Sequence, residues 1–199
     1  AASTADANAG TYADGITISG AQGTAGFSAS NYAITYEPGD LTIDPKALTV
    51  SADAQTKTYG NADPALTYGE SSALVAGDTF TGSLTRASGQ AVGTYAIERG
   101  DLAISDGNNG ANYDLTYEGA DLTIEKRPIT LTADNRTKTY GQRLALGTSA
   151  FTVGGEGLAY QEEVSAVTLG SVNDAASTAD ANAGTYADGI TISGAQGTA

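Results

Sequence analysis

Residues 175–199 of this chain repeat residues 1–25 (AASTADANAGTYADGITISGAQGTA) without a single change, at an offset of 174. An identical return at that distance is the signature of a tandem array, in which each unit is built to stand beside another copy. A second likeness lies inside the period. Residues 40–60, DLTIDPKALTVSADAQTKTYG, return 81 positions later at 121–141 as DLTIEKRPITLTADNRTKTYG, with 12 of 21 positions identical. The rest of the period spans 93 residues, so a shorter and a longer module alternate. The boundaries read as 1–46, the C-terminal part of a longer module; 47–127, one complete shorter module; and 128–199, the N-terminal part of the longer module. The chain reads as a piece cut from a longer array.

Modules of this size hold small cores, and the apolar pattern says what kind. Leu48 and Val50, Tyr95 and Ile97, Leu102 and Ile104, Tyr113, Leu115 and Tyr117, and Leu122 and Ile124 all alternate with polar residues. So do Ile16 and Ile18, and Tyr32, Ile34 and Tyr36. A period of two predicts half-buried strands, with Leu66, Tyr68, Phe80 and Leu84 on shorter ones. Only Ser71–Asp78 has room for a turn or two of helix. The DGNNG run at 106–110 predicts a turn, since Gly and Asn accept positive φ. The fold class expected is mainly β: small elongated modules of short, mostly antiparallel strands.

Composition narrows the function. The chain has no Cys, His, Trp or Met, so thiolate and imidazole chemistry and disulfides are out. With only 9 Lys and Arg against 23 Asp and Glu, the net charge of −14 argues against binding nucleic acid. No apolar run is long enough to insert in a membrane as a helix, and no signal-peptide pattern opens the sequence. Paired carboxylates are available, yet nothing places two in a cleft, so the expectation is a protein that is not an enzyme.

The joints carry the strongest local signal. A Leu-x-Ile strand ends, a few polar residues follow, and the next alternating strand starts at once. Asp44, Pro45 and Lys46 make one joint; Glu125, Lys126, Arg127 and Pro128 make the other. A proline in so short a link fixes φ and favours a semi-rigid connection. Just beyond each joint stands the same edge motif, Lys57, Tyr59 and Gly60 in one module and Lys138, Tyr140 and Gly141 in the next. The tyrosines are expected to be half-buried with hydroxyls bonded to backbone, with ligand stacking as the alternative. The lysines are expected to be exposed and to guard a strand edge. No cofactor is expected. Calcium is the one candidate, through Asp40, Asp44 and Asp121 near the joints, although no EF-hand spacing is present.

TKTYGNADPALTY at 56–68, SLTRASGQAVGTYAI at 83–97 and NYDLTYEGADLTI at 112–124, with the joints, resemble the YGX-type MBG modules. These are tandem mostly-β repeats of very large secreted bacterial adhesins of the filamentous-haemagglutinin kind. The resemblance implies a location outside the cell or on the bacterial surface. It also implies a β-grasp-like module in preference to an immunoglobulin-like sandwich, and a structural role: stalk repeats that project a distal binding region. The alternative role is a ligand-binding module that touches a glycan, matrix or cell-surface partner through loop 173–183 or exposed strand edges. For Lys57 and Lys138 the alternative to an exposed edge lysine is a buried one cross-linked to Asn through a nearby carboxylate, as in some surface adhesins. The partners expected are neighbouring copies of the same repeats, joined head to tail by strand complementation through residues 26–46, and an unknown surface ligand for the full protein.

Overall fold

A computed structural model of the chain describes residues 7–176 and 178–198. Residues 1–6 of the expected first piece, Ser177 of loop 173–183, and Ala199 lie outside the described residues. The protein is mainly β, with two short 3-10 turns (Ala29–Asn31 and Val172–Asp174) and no α-helix among the described residues. Two compact units are present. One comprises Ala1–Gln55, Ala65–Ser88 and Tyr95–Leu122; the other comprises Thr56–Pro64, Gly89–Thr94 and Thr123–Ala199.

In chain order the strands are β1 (Gly10–Ile16), β2 (Gly39–Ile43), β3 (Lys46–Ala52), β4 (Gln55–Thr58), β5 (Tyr68–Glu70), β6 (Thr79–Thr81), β7 (Thr85–Arg86) and β8 (Gly93–Glu98). They continue as β9 (Ala103–Ser105), β10 (Tyr113–Glu118), β11 (Ala120–Glu125), β12 (Ile129–Ala133), β13 (Phe151–Gly155), β14 (Glu163–Ser171) and β15 (Ile190–Thr198). The sheets are β1-β2, β10-β3-β5, β4-β11-β8-β7, β12-β13, β14-β15 and β6-β9. The pairs β1–β2, β3–β5, β6–β9, β7–β8, β12–β13 and β14–β15 run antiparallel. β3 and β10 run parallel, with Leu48 opposite Leu115 and Val50 opposite Tyr117.

The core of the first unit is drawn from the predicted inward positions. Val50, Leu84, Ile97, Leu102 and Leu122 form one buried cluster and Leu48, Ile104 and Tyr113 another, with Phe80 and Leu115 packed against both. Each such side chain contributes roughly 1.5–3 kcal/mol by leaving water. Two expected ribbons are broken, however. Phe80 and Leu84 sit on either side of a kink at Gly82 (φ +75°), and Ile97 and Leu102 on either side of Gly100 (φ +59°). A Cβ at Gly82 would stand 2.2 Å from the Asp101 carbonyl oxygen, and one at Gly100 would stand 2.5 Å from that of Ser83. The two bends therefore press backbone to backbone, which only glycine permits.

Ser71–Asp78 forms bends and a turn in place of the helix that its length allowed. Its backbone groups are taken by other parts of the fold: Lys46 Nζ donates to the Ala73 carbonyl at 2.5 Å, and Val75 N–H donates to the Tyr113 hydroxyl at 2.8 Å. A helix would have to reclaim them.

The longer module opens as the shorter one does. β12 and β13 pair with Ala133 opposite Phe151, in the register that sets Ala52 opposite Tyr68 in β3 and β5. Elsewhere likeness of sequence is not matched by likeness of structure. Gly93–Tyr95 begin β8, but Gly184–Tyr186 lie outside any strand. The same sequence at Gly10–Tyr12 forms β1 against β2. Ile18, Tyr32, Ile34 and Tyr36, expected on strands, also lie outside them and are exposed.

Candidate functional site at a module joint

The two joints are built differently. At the first, Asp44 and Pro45 separate β2 from β3, which Lys46 already begins, and all three are exposed. The Lys46 N–H donates to the Asn112 carbonyl at 2.8 Å and starts the parallel ladder. At the second joint, Glu125 ends β11, exposed Lys126 and Pro128 flank the link, and Arg127 turns inward.

Arg127 is the centre of a clasp made entirely within the second unit. Its Nε donates to the Gly157 carbonyl at 2.8 Å and its Nη2 to the Glu156 carbonyl at 2.7 Å. Its Nη1 donates to the Tyr59 carbonyl at 3.3 Å and to Asn61 Oδ1 at 3.1 Å. One planar fork thus ties the Tyr-Gly loop of the shorter module to residues 156–157 of the longer one. A lysine could not do this, since it lacks the fixed spread of donors.

The Tyr-Gly pair is there for the turn. The Asn61 N–H donates to the Thr58 carbonyl at 3.0 Å, and Gly60 takes φ +87° at the third position of that turn. Gln142, Thr139 and Gly141 (φ +85°) repeat the geometry. The turn delivers Tyr59 half-buried, as expected, but its hydroxyl meets a side chain. It donates to Glu162 Oε1 at 2.5 Å, while the Tyr160 ring stands edge-on at 5.3 Å. The bond to Glu162, with desolvation next, holds the Tyr59 phenol above its ordinary pKa. Tyr160 and Gln161 both adopt positive φ, an uncommon state for such residues, in a turn closed by Glu162 N–H to the Ala159 carbonyl. A Cβ on Gly60 would stand 2.4 Å from Ala159 Cβ, so the loop is seated as closely as glycine allows.

Lys57 corrects the expectation of an exposed edge lysine. It is buried, and its Nζ donates to Asp63 Oδ1 at 2.6 Å, Gln90 Oε1 at 2.6 Å and the Asn61 carbonyl at 3.0 Å. A buried ammonium persists only with such partners. Gln90, 33 residues away, could not be identified from local sequence. The side-chain oxygen of Asn61 is turned to Arg127, so Lys57 meets its backbone.

Lys138 and Tyr140 are placed otherwise. Lys138 is half-buried and Nζ donates to the Thr178 carbonyl at 2.5 Å, while Tyr140 is 64 % exposed. Loop 173–183 is docked along this segment: Gly141 N–H donates to the Ala179 carbonyl and Leu144 N–H to that of Ala176, both at 2.9 Å. Near the first joint, Asp40 Oδ1 accepts from Asp14 N–H at 3.1 Å. Among the described residues no group of three or more acidic, His or Cys side chains could hold a metal ion.

Short strands, glycine-kinked ribbons and repeated sequence at the joints are those of a tandem repeat module of mainly β structure. Residues 48–123 match the family model of the MBG domain (YGX type), a match that lies within the shorter module and stops before Arg127. No curated protein and no solved structure matches the chain.

Proposed function

We propose that these modules are spacer repeats of a large surface adhesin outside a bacterial cell, a semi-rigid stalk that projects a distal binding region. The match of residues 48–123 to the MBG domain supports a repeat module of adhesin-type proteins. The observation that carries the spacer reading is the Arg127 clasp, which fixes the short link Lys126–Pro128 through four hydrogen bonds to both neighbouring modules. A link held this way transmits orientation from one module to the next, as a stalk requires and a flexible tether does not.

Small-angle scattering and negative-stain imaging of a protein of several periods test the reading. Straight particles whose length grows in proportion to period number are expected, and globular clusters would sink the spacer role. Arg127→Ala should shorten the maximum dimension more than Pro45→Gly and Pro128→Gly together, because the prolines restrict only φ while the arginine holds both sides.

A further inference from the structure

Lys57 is held against a neighbour with which an amine can exchange a bond. Its side chain is buried, and Nζ lies 2.6 Å from Gln90 Oε1 and 2.6 Å from Asp63 Oδ1. A carbonyl bond is about 1.23 Å long, so the Gln90 amide carbon stands no farther than about 3.8 Å from Nζ. That is close to the separation of about 3–3.5 Å from which bonds form. Asn61 is not placed for this chemistry, since its side chain is turned to Arg127 and only its backbone carbonyl meets Nζ, at 3.0 Å. The Tyr160 hydroxyl donates to the same Gln90 oxygen at 3.4 Å. A buried amine, a carboxylate and an amide carbonyl with a second donor at its oxygen thus stand together, all within the second unit.

We propose that Lys57 and Gln90 become joined by an amide bond between their side chains, with ammonia released and Asp63 carrying the protons. Asp63 takes a proton from the ammonium, and the freed lone pair attacks the Gln90 amide carbon. The carbonyl pair moves to Oε1, where the Tyr160 hydroxyl faces the growing charge. Asp63 then gives its proton to the amide nitrogen and takes one from the nitrogen that attacked. As the Oε1 pair returns, the old carbon–nitrogen bond breaks and ammonia leaves with its electrons, departing as ammonium once it collects the proton left on Asp63. In sum a charged lysine and a neutral amide become a neutral amide and ammonium, with no oxidant or cofactor. The exchange also removes a charge from a buried side chain, where an ammonium is costly. Asp63 has access to water, its side chain being 39 % exposed, and an open depression of about 460 Å³ over the site gives the ammonia an exit.

The longer module lacks this set. The 81-residue offset puts Leu144 at the place of Asp63, and the shared Gly-Thr-Tyr puts Ala181 at that of Gln90. Lys138 Nζ donates to the Thr178 backbone carbonyl. One bond per period is therefore expected, and Lys138 serves as a control within the same chain.

Tryptic digestion of the purified protein with mass spectrometry reads the bond. An amide on Lys57 blocks cleavage there, so residues 47–86 should be recovered joined to 87–99 and lighter than the two together by one ammonia, while cleavage after Lys138 is normal. The joined peptide, and not the whole-protein mass, is the readout, because ring closure at Asn109–Gly110 also sheds ammonia. Gln90→Ala should restore cleavage after Lys57. Folded Asp63→Asn keeps both reacting groups and should lower the joined fraction at least about tenfold, since a positioned proton carrier contributes about 10²–10⁴-fold in rate. Full cleavage after Lys57 in the unaltered protein, a join to Asp63 with loss of water, or an undiminished joined fraction in Asp63→Asn overturns the proposal. Unjoined repeats that still scatter as rods would remove the cross-link and leave the spacer role standing.

Discussion

NYDLTYEGADLTIE at 112–125 and NYAITYEPGDLTID at 31–44 agree at 9 of 14 positions, yet they take different states. The first supplies β10 and β11, with Tyr113, Leu122 and Ile124 buried; the second forms only β2, with Tyr32, Ile34 and Tyr36 exposed. The identical copies make the same point more sharply. Residues 10–16 are strand while 184–189 are not, and 190–198 are strand while 17–24 are not. What the copies share is local. Tyr12 and Tyr186 hydroxyls donate to the carbonyls of Asn8 and Asn182 at 2.7 and 2.8 Å, and Asp14 and Asp188 both take positive φ, at 56° and 51°. Turn geometry follows from the residues themselves, whereas strand state follows from the partner laid alongside.

Paired substitutions at equivalent positions can break or sharpen this contrast, and core truncation should show it most strongly. Leu48→Ala should cost about 2–5 kcal/mol in urea unfolding, and Ile129→Ala less than about 1, because only the first leaves a cavity. Equal costs would mean that β12 is already covered in solution.

Glycine substitution at the Tyr-Gly turns comes next. Gly141→Ala should cost about 1–2 kcal/mol for its positive φ alone, while Gly60→Ala adds a collision with Ala159 worth about 1–3 more. Like values would place the clash in a loop free to shift. At the joints, Arg127→Ala should cost about 2 kcal/mol and Lys46→Ala, at its exposed equivalent, less than about 1. Failure of Arg127→Lys to restore the loss would show that the fork, and not the charge, matters.

The smallest effect is one of pH, and it belongs to an aspartate that the longer module lacks at the equivalent turn. Burial pushes the Asp106 carboxyl up, but N–H donors from Gly110, Asn108 and Asn112 outweigh it and hold the pKa below the ordinary range. A folded pKa below the unfolded one gives stability that is fully present above about pH 4 and fades as pH falls through the folded value. Asp106→Asn should flatten that acid limb of the urea midpoint, and an unchanged slope would assign it to other carboxylates. The equivalent position in the longer module is Ala25.

The period, the alternation and the turns were legible because each is written in neighbouring residues. Leu48, Val50, Ile97, Leu102 and Leu122 could be placed inward from a spacing of two, and Gly60 and Gly141 at a turn from the recurring pair. The clasp was not. Tyr59 finds Glu162 across 103 positions and Lys57 finds Gln90 across 33, and no periodicity encodes such meetings. At the joint the sequence points to proline, whose effect on φ is local, while the side chain that grips both modules is the arginine beside it. The lost helix at Ser71–Asp78 belongs to the same class, since its backbone partners come from Lys46 and Tyr113.

Residue-resolved amide hydrogen exchange on dilute protein, below any association, tests directly whether the partner strand decides the state of these segments. Amides of Tyr113–Glu118 should be protected by about a thousandfold or more, while those of Tyr32–Glu37 should exchange within about tenfold of coil rates. Comparable protection of the two segments would contradict the account, because equivalent segments of the repeat would then be ordered whether or not a partner strand lies beside them.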